Sequence, residues 1–308
     1  MSEKNLKSLK FHGLDDIYKI PSTAEDVGAA TLEEVSSAKT SAVNESKTYT
    51  DSQVRKAAPR NLLDNSDFRN PVNQRGQTTY TTDGYTIDRW CLWVESGNLN
   101  FAVNNGYISL SFDNHGTLYQ RVEKGVLNPS KTYTLAYKKY NGGIEVKQTW
   151  IDYEGSSSDV VNVLDLKNGE VVNIEWVALY EGEYTIDTLP EYQPKGYGAE
   201  LAECQRYYRK ITSEDNTVIC QAIAYNSTSL WGTLPFSMRI SNPTIKFDNI
   251  VWTSNSISDA STVSSIGVNK SSCGITCVMF RVDGAVECTT YNIWTSGTGG
   301  YLEINADL

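Results

Sequence analysis

The chain has 308 residues, 40% hydrophobic and 21% charged, enough for two domains with sizeable cores and too few charges for a protein built of long helices. Its net charge is −10, with −7 of that over residues 61–198, which argues against nucleic acid and anionic membranes as partners, because their phosphates call for basic stripes. Nineteen tyrosines and abundant Thr, Ser, Val and Asn favour short strands and turns, and neutral glycan or protein partners fit the charge best.

No apolar run reaches the length of a membrane span, and MSEKNLKSLKFHG lacks the hydrophobic core of a signal peptide. Synthesis in a cytosol, without membrane insertion, is the expectation. Residues 1–26 form a leader in which Leu9, Phe11, Leu14, Ile17 and Tyr18 are too apolar for a free tail. Such a segment either docks into something larger or packs on its own chain. Residues 27–59 hold a stretch free of Gly and Pro. Thr31 and Glu34 offer a capping box there. Leu32, Val35, Ala42 and Tyr49 fall at heptad spacings broken by Lys39, Ser46 and Gln53. That reads as a helix with a weak coiled-coil seam, ended by Pro59.

Residues 60–198 read as an all-β domain. Its opening run, NLLDNSDFRNPVNQRGQ, sets Leu62, Leu63 and Phe68 as buried anchors. Asp64, Asn65 and Asp67 are turn formers, with a structural cation at Asp64 and Asp67 left open. Alternating runs flank Asn105-Gly106, Asn141-Gly142-Gly143 and Asn168-Gly169, each read as a hairpin. Residues 199–308 begin with a helix predicted over 199–211. They then return to strands, with a hairpin predicted at Asp283-Gly284. The fold class is therefore mainly β: a short helical neck, a jelly-roll β-sandwich and a C-terminal β-sandwich tip. The six cysteines contain no CxxC pair. Cys273 and Cys277 would stand roughly 13 Å apart on one strand, too far for a disulfide, so all six are expected to be mostly buried free thiols.

Nucleophilic catalysis with a histidine base could draw only on His12 in the leader and His115 in FDNHGT, read as a turn. GxSxG and HExxH are missing, and SGTGGY lacks the lysine of a phosphate loop. A glycosidase needs two carboxylates. Asp64 with Asp67, Asp83 with Asp88, and Asp152 with Glu154 supply pairs, though such pairs are common on any β-surface. The expectation is a non-catalytic protein without cofactor. Glycan binding calls for aromatic faces. In RWCLWV, Trp90 and Leu92 alternate inward and Trp93 outward. In TWIDY, Trp150 and Asp152 share one face, and Ile151 and Tyr153 the other. Trp231, Trp252, Trp294 and Tyr301 sit near loops of the C-terminal part. Against each stands the alternative of a packed core or subunit-interface aromatic.

Several of these pieces together resemble bacteriophage and prophage tail fibres with a galactose-binding-like carbohydrate module. NLLDNSDFRNPVNQRG followed by GYTIDRW is similar to the start of such domains, and LYQRVEKGVLNPSKTYTLAYKKY to a strand pair of the module. IEWVALYEG through LPEYQPKGYGAELAECQRYYRK resembles its closing strand and the helix after it. LPFSMRISNPTI, the terminal LEINADL and the early DVGAAT resemble further fibre segments. The resemblance implies a homotrimer on a virion or phage-like tail. Residues 1–26 would attach to the tail or baseplate, residues 27–59 would form a trimeric neck, and the β-heads would meet host cell-surface polysaccharide.

Overall fold

The computed structural model describes residues 8–9, 18–19, 30–56, 59–153, 157–167, 169–212, 218–234, 238–239, 243–254, 260–272, 275–297 and 299–307. Two compact units divide the chain, Met1–Ala58 and Pro59–Leu308. In the first, β1 (Ser8–Leu9) pairs antiparallel with β2 (Tyr18–Lys19), placing Leu9 opposite Tyr18. Phe11, Leu14 and Ile17 lie outside the described residues.

The helix α1 spans Leu32–Lys56. Its start is a reciprocal capping box: Thr31 N donates to Glu34 Oε2 at 2.7 Å, and Glu34 N donates to Thr31 Oγ1 at 3.2 Å. Thr31 N and, at 2.9 Å, Thr31 Oγ1 both donate to the Glu34 carboxylate and hold it below its ordinary pKa. Leu32, Val35, Val43 and Tyr49 are all exposed, Leu32 to 91%. The helix is thus present as expected. Its seam buries nothing within the described residues, so the finer reading of a coiled-coil neck rests on association with other copies.

The second unit opens with eleven short strands: β3 (Thr79–Tyr80), β4 (Gly84–Tyr85), β5 (Trp90–Val94), β6 (Leu99–Asn104), β7 (Tyr107–Phe112), β8 (His115–Glu123), β9 (Tyr133–Lys139), β10 (Ile144–Gln148), β11 (Ile151–Asp152), β12 (Ser158–Lys167) and β13 (Val171–Glu181). They make a six-stranded sheet ordered β10-β9-β13-β7-β6-β3 and a five-stranded sheet ordered β11-β12-β8-β5-β4. Every pairing is antiparallel. Period-two patterning explains the sandwich. Ile108, Leu110 and Phe112 of β7 turn inward, as do Leu118 and Val122 of β8, and they meet in one core with Leu63, Phe68 and Trp90. The Asn105-Gly106 and Asn141-Gly142-Gly143 turns are hairpins, with Gly106 at φ 89° and Asn141 at φ 55°. The hairpin expected at Asn168-Gly169 does not form, because β12 lies in one sheet and β13 in the other; Asn168 itself lies outside the described residues.

The outer face of the six-stranded sheet is covered over β9 and β13 by the segment that follows β13. Tyr192 stacks flat on Trp176 at 4.4 Å, and Leu189 completes a small cluster with Ala136, Ala178 and Tyr180. The outer face of the five-stranded sheet has no such strap among the described residues.

Next come α2 (Tyr197–Cys204), β14 (Tyr208–Thr212), β15 (Val218–Asn226), β16 (Ser229–Leu234), β17 (Thr244–Asp248), β18 (Ile250–Thr253), β19 (Ser261–Thr262), β20 (Ser265–Ser272), β21 (Ile275–Arg281), β22 (Thr290–Thr295) and β23 (Tyr301–Asn305). A three-stranded sheet, β14-β23-β17, packs on a seven-stranded one, β19-β18-β22-β15-β16-β21-β20, around Leu230, Phe280, Ile293, Leu302 and Ile304. The helix predicted over 199–211 stops at Cys204. Tyr208–Thr212 joins β23 instead, Tyr208 opposite Asn305, which suits its Tyr and Ile content. Asp283-Gly284 is likewise no hairpin, since β15 and β16 stand between β21 and β22. Of the cysteines, Cys91 and Cys204 are buried, Cys220 and Cys277 half-buried, and Cys288 is exposed in a turn. Cys273 lies outside the described residues.

Charged side chains join the two β-regions into one unit. Arg75 pairs with Asp307 and Asp88. Gln74 Nε2 donates to Tyr208 O at 2.7 Å, Asn65 N donates to Glu200 Oε2 at 2.7 Å, and Tyr207 Oη donates to Glu123 Oε1 at 3.0 Å. The Arg89 guanidinium lies 3.5 Å from the centre of the Tyr207 ring.

Candidate functional site: a groove on the five-stranded sheet

The strand β8 alternates strictly. Leu118, Gln120 and Val122 face the core, and His115, Thr117, Tyr119 and Arg121 face out. Gln120 fixes the strand from within by a reciprocal pair with the Asp64 main chain, each bond 2.8 Å. Cross-strand registers set the outward residues in rows. Asp152, Val160 and Arg121 form one. Asn162 and Tyr119 stand in the next, and Asp165, Thr117 and Trp93 in the one after. The wall is a crossover. β10 belongs to the six-stranded sheet and β11 to the five-stranded one, so Thr149 and Trp150 bridge the two. Thr149 Oγ1 donates to Asn162 O at 2.5 Å, and Asn162 N donates to Trp150 O at 3.2 Å, pinning the bridge to β12.

The result is an open groove of about 460 Å³. Trp93 (43% exposed) and Trp150 (70% exposed) offer indole surface to it. His115 stands edge-on to Trp93 at 5.4 Å and is held between Asp165 and Glu95, the latter at 3.5 Å. Arg121 lies beside the Tyr119 ring at 5.8 Å. Burial pulls the Lys147 amine below its ordinary pKa, with Asp165 and Glu145 acting the other way. The inventory of two indoles, hydroxyls, amides and both signs of charge suits a polar ligand with apolar patches. A pyranose ring has that character.

The groove gathers Trp93, Trp150 and Asp152 from among the sequence candidates. Tyr153 points the other way and packs against the main core with Ile151. Glu154, the expected partner of Asp152, lies outside the described residues. The tip aromatics are dispersed. Trp252 is not at a loop mouth but in the core, edge-on to Tyr291 at 4.7 Å. Trp231 stands half-exposed beside Tyr225 at 6.3 Å. Trp294 is half-buried, and Tyr301 carries Lys210 at 5.2 Å. The reading of sequence missed His115, Tyr119, Arg121, Asn162 and Asp165. His115 begins a strand rather than lying in a turn, and the outward alternation of HGTLYQRVE was the signal for this set.

The carboxylates of the opening segment are engaged by the chain itself. Asp64 accepts from Arg89 at 3.3 Å and Lys195 at 3.2 Å, and these two cations outweigh burial to leave its pKa low. Asp67 takes Arg69 in a fork at 2.7 and 2.9 Å. These guanidinium and ammonium groups supply the positive charge a cation at Asp64 and Asp67 would have brought. Among the described residues no cluster of three or more His, Cys, Asp or Glu is arranged for a metal. Asp83 Oδ1 receives Val94 N at 2.9 Å, and Asp88 is buried and raised to about 6 by desolvation, so this pair too serves the fold.

Comparison of the chain with protein-family models, curated proteins and solved structures finds no match.

Proposed function

We propose that this protein is a non-catalytic glycan-binding adhesin and that the groove of the five-stranded sheet is its sugar site. One observation carries the reading. Trp93 and Trp150, far apart in sequence, present indoles to a single open groove, while on the opposite sheet Trp176 is covered by Tyr192. Indole faces stack on the C–H faces of sugars, and hydroxyl, amide and carboxylate neighbours bond the hydroxyls. The likeness of several segments to tail fibres supplies the wider setting. In it, residues 1–26 attach the protein to a tail or baseplate, α1 associates with two other copies, and the β-heads meet polysaccharide on a host surface. Three weak sites held together give adhesion through avidity.

The test is binding of the full-length protein to host surface polysaccharide by calorimetry, with Trp93→Ala and Trp150→Ala beside it. Each variant is expected to lose about tenfold or more in affinity, the loss of one stacking face. Absence of any glycan binding would favour a structural spacer in the fibre. Release of reducing sugar, abolished by Asp152→Asn, would favour a glycan-degrading enzyme.

A further inference from the structure

The sandwich is acidic, yet two of the cations at its groove are left out of its ion pairs. Elsewhere in the sandwich the basic side chains are largely paired: Arg75 with Asp88 and Asp307, Arg89 with Asp64, Lys124 with Asp159, Lys139 with Glu145, Lys195 with Glu203. Among the described residues Arg121 and Lys147 make no ion pair, and both line the groove. Neither stands free in solvent; each is half-buried. Aromatic rings lie beside them, Tyr119 by Arg121 and Tyr137 by Lys147, and Asp165 and Glu145 act on Lys147 only from beyond ion-pair distance; a partly desolvated cation held in this way gains from an anion brought by a ligand.

Among the described residues no acid nearby forms an ion pair with either cation, and Glu145 is taken by Lys139. Asp165 is taken by His115. Asp152 is separated from Arg121 by the whole width of β12, with Val160 between them in the row. The Arg121 position is also held firmly. Its carbonyl accepts from Arg89 Nη2 at 2.6 Å on the core side, so the outward side chain rises from a fixed main chain. A guanidinium placed in this way makes forked bonds to a carboxylate or phosphate, and Lys147 adds a point charge from the crossover wall.

We propose that the groove selects a saccharide bearing an anionic substituent, a uronate carboxylate or a phosphate ester, seated on Arg121 and Lys147 between Trp93 and Trp150. This deepens the glycan-binding reading and rests on it. It also separates local from global charge: the net charge of −10 disfavours long-range capture of polyanions, while contact recognition inside the groove does not depend on it.

The experiment is an array pairing neutral oligosaccharides with their uronate-bearing and phosphate-bearing counterparts, read with labelled full-length protein. Wild type is compared with Arg121→Gln, Arg121→Lys, Lys147→Gln and Trp150→Ala, each checked for an unchanged thermal midpoint. Acidic members are expected to bind at least tenfold better than their neutral partners. Arg121→Gln and Lys147→Gln should erase that preference, Arg121→Lys should keep part of it, and added salt should weaken acidic binding selectively. Which class binds distinguishes uronate from phosphate. Equal binding of neutral and acidic members, unaffected by Arg121→Gln but lost in Trp150→Ala, would overturn the anionic preference and leave the groove as a neutral-sugar site. Absence of binding to any member would overturn the glycan reading itself, and this inference with it.

Discussion

At the scale of single residues, the entrance to the sandwich turns on Asn61. Its buried amide donates to Ser66 Oγ at 2.8 Å and Val177 O at 3.1 Å, and it accepts from Leu63 N at 3.1 Å and Leu179 N at 2.9 Å. Asn61→Ala strands these main-chain groups without water, and is expected to cost about 2–4 kcal/mol in urea unfolding. Asp88 sets a pH dependence. Burial, the largest cause, lifts its carboxyl to about 6, although Gln74 and Arg75 pull it down. A carboxyl whose folded pKa exceeds its unfolded value takes up protons on folding. Its contribution is therefore greatest below about pH 4 and is lost as pH rises toward 6. Asp307 and Glu200, also raised by burial, act in the same direction, and Asp64, lowered, acts against it. Asp88→Asn is expected to remove its share, so that the wild type's advantage over the variant in urea midpoint is larger at pH 4 than at pH 7.

At the scale of elements, β8 explains both what the sequence disclosed and what it hid. Gly116 lies against the Phe112 ring, where an added Cβ would come within 2.2 Å of a fully buried side chain. Gly116→Ala should cost about 1–3 kcal/mol by overpacking, seen as a lowered thermal midpoint. Strand interiors were legible because alternation is local: Ile108, Leu110 and Phe112 face inward as their spacing says. Connections were less legible. Glycines with positive φ at 169 and 284 specify that the chain turns, not which sheet it turns into. The strand Tyr208–Thr212 was hidden for the same reason, since its partner β23 lies about ninety residues further along. The groove was half visible. Trp93, Trp150 and Asp152 stood out by type and face, but Arg121 and Lys147 come together only through a crossover between sheets. For α1, the exposed Leu32, Val35 and Tyr49 carry a separate expectation. If they form a seam between copies, Val35→Glu should lower the mass seen by light scattering from trimer to monomer, and a monomeric wild type would remove the neck altogether.

At the scale of the whole molecule, the division at residues 58 and 59 and the charged contacts within Pro59–Leu308 predict one protease-resistant core. Limited proteolysis is expected to leave a fragment beginning near Pro59 that does not separate further near residue 198, because Arg75, Glu200 and Tyr207 bind across that point. A stable fragment ending near 198 would contradict this. The strand β23 carries a further consequence. It sits in the middle of its sheet, edged by β14 and β17, and its Leu302 and Ile304 fill the core of the second sandwich. Just beyond it, Ala306 N donates to Tyr207 O at 2.7 Å, and Asp307 holds Arg75. Ribosomes release these residues after every other element of the unit has been made. Strands β14 (Tyr208–Thr212) and β17 (Thr244–Asp248) therefore wait unpaired until β23 is made, and a nascent chain halted before Tyr301 would present a cleft lined by apolar side chains to any chaperone or sister chain nearby.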